Sequence, residues 1–156
     1  MIMKPAVFSQ VYIHFVFSPR GREALIREEI QPEVYSYISK IITNKNHKSI
    51  NINGMPDHIH ILLGLNPGTS ISDLVRDIKR SSSLYINEQK LTPTKFQWQE
   101  GYGVFSYSRS HLQRIYAYIE NQKIHHMKKT FQNEFIELIE KFEISYDKHF
   151  LFEFYS

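Results

Sequence analysis

The chain is expected to fold as an α+β domain of the ferredoxin-like or RRM-like type. This is a split βαβ pattern: an antiparallel sheet with two helices on one face, here followed by further C-terminal helices. Three observations predict it. Runs rich in β-branched and aromatic residues alternate with stretches of helical spacing in the order strand, helix, strand, strand, helix, strand, then helices. A length of 156 residues with 42% hydrophobic residues suits one packed domain, and excludes wholesale disorder. No internal repeat, low-complexity segment or Gly/Ser linker divides the chain, so 1–156 reads as a single domain, with about 131–156 a C-terminal helix and tail of unassigned role.

The elements follow in order. Residues 11–18 (VYIHFVFS) form the first strand, ended by Pro19-Arg20-Gly21. From Arg22 to about Lys45, Leu25, Ile26, Ile30, Val34, Tyr37, Ile38, Ile41 and Ile42 recur at helical spacing, and Pro32 predicts a break or new start near Gln31. Residues 49–53 form a short strand. The segment 54–57 (GMPD) turns the chain into a second strand over 58–65, which pairs with the first as a hairpin. Thr69 or Ser70 caps the next helix, which runs to about Gln89. Residues 91–95 are a loop. Residues 96–106 have aromatic strand character interrupted by Gly101 and Gly103. Ser108 or Ser110 caps a helix to about Lys128, and a last amphipathic helix spans about 133–143. The aromatic tail, 149–155, is expected to pack on something such as a partner subunit.

Composition narrows the chemistry. There is no cysteine, which excludes disulfide scaffolds, thiolate metal sites and cysteine nucleophiles. The net charge of +3 is compatible with nucleic acid but does not argue for it alone. Residues 1–10 lack a signal-peptide core, and the best apolar runs, 11–17 and 59–65, fall far short of the roughly 20 residues that span a bilayer. A cytoplasmic protein with no membrane partner is the expectation. The unusual count is 8 histidines, which can ligate metal, move protons or simply pack.

Four groups of residues carry candidate chemistry. His58 and His60 lie two apart on a strand, so their imidazoles share a face and can hold one divalent ion; a polar pair on a solvated face is the plain alternative. Asp57 can orient an imidazole or serve only the turn. Tyr118 and Gln122 lie four apart on a helix, one above the other, and His125 and His126 continue roughly that face. A metal ion nearby would help a phenol attack phosphorus, with the Gln122 amide oxygen completing the ion's shell; Tyr118 can equally be a packing residue. In WQEGYGVFS, 98–106, the glycines mark a close backbone approach or a tight bend. Arg76, Lys79, Arg80 and Ser83 line one helical face, with Lys123, Lys128 and Lys129 adding charge later. Such a face contacts phosphates or is merely solvated.

Together the strings PDHIHILL (56–63), WQEGYGVFS (98–106) and YIENQ (118–122) with His125-His126 resemble the small single-tyrosine transposases of the insertion-sequence 200/605 family, members of the HUH (His-hydrophobe-His) endonuclease class. The resemblance covers about 11–128. It implies that the C-terminal helices carry a catalytic tyrosine, Tyr118. It implies that His58, His60 and Gln122 hold Mg²⁺ or Mn²⁺. Tyr118 would attack single-stranded DNA, leaving a 5′-phosphotyrosine link and a free 3′-OH, and strand transfer would reverse that step. The family implies hairpin DNA at element ends and a homodimer, with Tyr118 serving its own or its partner's histidines. Arg76, Lys79, Arg80, Ser83 and Lys123 are then candidates for DNA contact. Because Gln122 is neutral, metal affinity without DNA is expected to be modest. Two other readings are a non-catalytic hairpin-binding domain, and a metal-dependent hydrolase with water as nucleophile.

Overall fold

The structure is a computed structural model that describes residues 6–146, the side chain of Arg22 excepted. The predicted tail, 149–155, lies outside the described residues. Strand β1 (Tyr12–Phe17) is buried on both faces because it is central. It pairs antiparallel with β3 (His58–Gly64) on one side and β4 (Gly103–Tyr107) on the other, and β2 (Lys48–Met55) joins β3, giving the order β2-β3-β1-β4. This is the predicted split βαβ sheet.

The period of two sorts the strands between the faces. Ile13, Phe15 and Phe17 of β1 and Ile59, Ile61 and Leu63 of β3 point to one side. There they meet Val34, Ile38 and Ile42 of α1 (Gln31–Asn44) and Leu74, Val75, Ile78 and Ile86 of α2 (Ile71–Glu88). The other face is also covered. Leu62 meets Ile115 and Ile119 of α3 (Leu112–Glu120), while Val16 and Phe105 meet Phe131, Phe135 and Ile139 of α5 (Phe131–Lys141). The predicted pair of helices thus takes one face and the C-terminal helices take the opposite one.

Several boundaries differ from expectation for local reasons. Helix α1 starts at Gln31, with Pro32 in its first turn, where a missing N–H costs nothing. The segment before it is not helical; Ile26 is buried and its N–H donates to Pro56 O at 3.0 Å. Ser70 caps α2, accepting from Asp73 N at 3.3 Å. Ser108 and Ser110 do not cap α3 through a backbone bond; Ser108 Oγ lies 2.8 Å from Ser110 Oγ and 2.8 Å from His111 Nδ1. The predicted helix to Lys128 breaks at Asn121 (φ −95°, ψ 25°) and resumes as the short α4 (Gln122–His125). Thr130 caps α5, accepting from Asn133 N at 3.2 Å.

The segment 96–102 is extended but forms only an isolated bridge, Pro19 with Trp98, so the ladder strand begins at Gly103. Side chains hold it instead. Asn87 bonds both backbone groups of Phe96, Trp98 Nε1 donates to Ser82 Oγ at 2.8 Å, and Lys79 Nζ donates to Gln99 O and Gly101 O at 2.9 and 2.6 Å. The bend is at Gly101, with φ 87°, and at Gly103 the close neighbour is a side chain of the same chain: a Cβ there would stand 2.7 Å from Phe135 Cε1.

Gly54 does not turn the chain; it lies within β2, and only Pro56 and Asp57 make the hairpin turn. A Cβ there would stand 2.3 Å from the backbone oxygen of His58, and that carbonyl is fixed in the hairpin. Gly54→Ala is therefore expected to destabilise the fold by about 1–3 kcal/mol, the usual range for overpacking. Thermal unfolding of the pair checks it, and equal melting temperatures would refute the close-approach argument.

Candidate functional site

The site lies on the sheet face covered by α3, α4 and α5. Because Ile59 and Ile61 enter the opposite core, His58 and His60 point to this face, and both are fully buried. Each ring is held through its Nδ1. His58 Nδ1 is 2.8 Å from Asp57 Oδ1, so the turn residue does orient the imidazole. His60 Nδ1 is 2.7 Å from Nε2 of His14, whose own Nδ1 lies 3.3 Å from the Tyr107 hydroxyl. His14 comes from β1, where the register sets Val16 against His60. Burial, reinforced by His60, drives the pKa of His14 well below the ordinary value, so His14 is neutral. The tautomers that satisfy these contacts put protons on Nδ1 of both His58 and His60 and leave both Nε2 atoms as lone pairs.

Those lone pairs face a carboxylate. Glu134 Oε1 lies 3.4 Å from His58 Nε2 and 3.3 Å from His60 Nε2. Gln122 Oε1 lies 2.8 Å from His58 Nε2. Glu134 is only 4% exposed and Gln122 is fully buried. Acceptors facing acceptors at these distances repel unless a cation or proton lies among them. One ligand atom from each of His58, His60 and Glu134 lies within 4.8 Å of the others, a spacing that one divalent ion can bridge. The residues present therefore fit a metal ion: two imidazoles, one carboxylate and one amide oxygen.

Tyr118 stands against this cluster in the same chain. Its ring packs edge-on to His60, with centroids 5.7 Å apart, and its hydroxyl donates to Glu134 Oε2. Gln122 Nε2 donates to the same oxygen at 3.0 Å. So Tyr118 and Gln122 still converge, although the helix between them is broken. Burial, with Glu134 adding to it, raises the phenol pKa well above its ordinary value. Burial raises the Glu134 carboxyl, the hydrogen bond with His126 is the largest influence lowering it, and the net shift is downward. His126 Nε2 sits 3.0 Å from Glu134 Oε1; burial lowers its pKa, yet Glu134 raises it further, so the net shift is upward. A cavity of about 170 Å³ opens beside Tyr118, lined by His125, Lys129, Glu134, Glu137 and Lys141. Tyr116 is 42% exposed on another face of the helix.

The basic candidates lie elsewhere. Arg76, Lys79, Arg80 and Ser83 line a groove of about 1110 Å³ on the α2 side of the sheet, together with Arg20, Gln97 and Tyr102. Lys79 is committed there to two backbone carbonyls and to the rings of Phe17 and Tyr102, and burial lowers its pKa to about 8. Arg76 pairs with Asp73 at 3.0 Å, and Ser83 Oγ donates to Arg80 O at 3.2 Å. Lys123 does not line the groove and pairs with Glu28 at 2.9 Å.

The model of the IS200-like transposase family matches residues 7–122, which include His58, His60, Tyr118 and Gln122. The chain belongs to the IS200-like transposases. Among curated relatives of this transposase is the transposase for insertion sequence element IS200 of Salmonella typhimurium, 31% identical over 115 residues that cover 70% of this chain and 74% of the relative. Another is the ISDra2 transposase TnpA of Deinococcus radiodurans, 24% identical over 118 residues, covering 72% and 84%. Two solved structures share the fold. A crystal structure of a putative transposase from D. radiodurans superposes with a TM-score of 0.62 at 24% identity, over 78% of this chain and 98% of that one. A REP-associated tyrosine transposase bound to a REP hairpin gives 0.57 at 15% identity, over 81% and 74%. No helix among the described residues is long and apolar enough to cross a membrane.

Sequence reasoning missed two residues of this transposase's site, His14 and Glu134. Each left a signal. His14 alternates with Ile13 and Phe15, which places it on the face of the histidine pair once the strands are aligned. Glu134 interrupts the apolar stripe of Phe131, Phe135 and Ile139, and a carboxylate on a buried stripe needs partners.

Proposed function

We propose that this transposase cleaves and rejoins single-stranded DNA with Tyr118 as nucleophile, and that His58, His60 and Gln122 hold the Mg²⁺ or Mn²⁺ ion that assists. The observation that carries this reading is the Tyr118 hydroxyl standing at a buried two-histidine cluster of its own chain. A divalent ion bound there would stabilise charge developing on the scissile phosphate. The Tyr118 oxygen attacks phosphorus, the bond to the 3′ oxygen breaks, and the phenol's proton is lost as the leaving 3′ oxygen gains one. The product is a 5′-phosphotyrosine and a free 3′-OH. Attack by a 3′-OH on that link rejoins DNA without an external energy source. His125 and Lys129, in the small cavity beside Tyr118, would steady the phosphate.

The DNA is taken to carry hairpins, a reading supported by the fold shared with a relative solved on a hairpin. On this reading the enzyme acts in the cytoplasm as a homodimer, and residues 1–156 form one HUH domain that includes α5. Arg76 and Arg80 of the α2 groove are the phosphate contacts; Lys79 and Ser83 shape the groove wall, and Lys123 contributes only charge. Arg76→Ala with Arg80→Ala is expected to reduce the slope of log affinity against log salt by about 1–2 and to weaken hairpins of any sequence alike. Fluorescence anisotropy at several salt concentrations measures it, and an unchanged slope would remove the groove from the interface. The central test is incubation of the full chain with single-stranded DNA and Mn²⁺. A covalent protein–DNA adduct is the expected product; released fragments with no adduct would favour a water nucleophile, and binding without cleavage a non-catalytic role.

A further inference from the structure

One carboxylate faces both halves of the site. Glu134 Oε1 lies 3.4 Å from His58 Nε2, 3.3 Å from His60 Nε2 and 3.0 Å from His126 Nε2, and Oε2 accepts from the Tyr118 hydroxyl and from Gln122. It sits on α5 between Phe131 and Phe135, which otherwise bury aromatic surface against β1, β4 and the ring of His58. Packing alone would favour a leucine there, because a buried carboxylate is costly without charge partners. Helix α5 also lies beyond the residues matched by the family model.

We propose that Glu134 is a ligand of the metal ion and, through its second oxygen, the group that holds the Tyr118 hydroxyl beside that ion. The inference rests on the reading above, in which His58 and His60 bind the ion and Tyr118 is the nucleophile. Three consequences follow from the chemistry. A set of two imidazoles, one amide and one carboxylate carries a negative charge, whereas His58, His60 and Gln122 alone are neutral. The chain therefore holds the ion without DNA, in place of the modest affinity expected from Gln122. The ion and the nucleophile share one group, so their positions are coupled. The ion's ligands and the tyrosine also lie within one chain, with α5 adding a charged ligand to the neutral set.

The test is a Mn²⁺ titration of the full chain, free of DNA, followed by electron paramagnetic resonance. Wild type is expected to bind, and Glu134→Gln to bind at least about 30-fold more weakly, within the range seen when a carboxylate that supports a metal site is lost. Binding by Glu134→Gln equal to wild type, with binding lost in His58→Ala/His60→Ala, overturns the proposal and leaves the histidine reading standing. Failure of wild type to bind, or undiminished binding in the histidine variant, removes that reading and the proposal with it. Should Glu134→Gln not fold, infrared difference spectra of wild type decide: Mn²⁺ should shift a carboxylate stretching band, and its absence overturns the ligand role. For the second oxygen, protein labelled at tyrosine Cζ with ¹³C is compared by NMR. The Tyr118 signal, assigned by its loss in Tyr118→Phe, should move in metal-free Glu134→Gln; an unmoved signal overturns the hold on the phenol.

Discussion

Tyr118→Phe is expected to abolish covalent adduct formation, lowering the cleavage rate by at least about 1,000-fold, since removing a nucleophile removes the step that the rest of the site serves. The substitution deletes one oxygen and keeps the ring, so the edge-on contact with His60 and the packing against His125 persist. It also deletes the hydrogen bond to Glu134, a loss of no more than about 3 kcal/mol for a bond to a charged group. Glu134 retains Gln122 and His126 as donors, so the variant should fold. Denaturing gels that trap the adduct read the effect, with thermal melts beside them. Tyr116→Phe is the control, because Tyr116 is exposed on another helical face and its loss should leave the adduct intact. An adduct that survives in Tyr118→Phe would end the assignment.

His58→Ala with His60→Ala should weaken Mn²⁺ binding by at least about 100-fold and remove cleavage together with it, since both nitrogen ligands are lost and the carboxylate and amide alone make a poor site. Hairpin binding should persist, because the α2 groove lies across the sheet from the histidines. Asp57→Asn is the graded companion. It keeps both ligands but weakens the acceptor that fixes the His58 ring at 2.8 Å, and a loss of about 10-fold in metal affinity is expected. Isothermal titration with Mn²⁺ and the adduct assay, run on the same preparations, give both numbers. Cleavage retained in the double variant would exclude the histidines from the chemistry.

The two predictions draw on different sources of information. That His58 and His60 share a face was legible from strand periodicity, with Ile59 between them marking the opposite core, whereas their reading as ligands came from the family resemblance. Spacing put Tyr118 and Gln122 on one helical face, but their proposed roles came from the family resemblance, and the expected continuous helix breaks at Asn121. The pair converges because both side chains reach Glu134, a residue the helical spacing says nothing about. The α2 face was legible as basic, but not the commitment of Lys79 to the carbonyls of Gln99 and Gly101, since that bond depends on how the 96–102 segment crosses the helix.

What the sequence determined by itself was therefore local: which segments are strands and helices, which faces are apolar, and the split βαβ order. These follow from periodicities of 2 and 3.6 and from caps and prolines, all of which act over a few residues. The surplus of histidines was visible too, and a use was expected for His58 and His60, but none for His14. Only the tertiary structure decided that His14 supports His60 from 46 positions away, and that Glu134 meets it from 74 positions away. The first depends on the register of β1 against β3, and the second on α5 docking across the sheet face. Both are outcomes of packing the whole chain, in which a buried polar side chain is placed by the partners that satisfy it rather than by its neighbours in sequence.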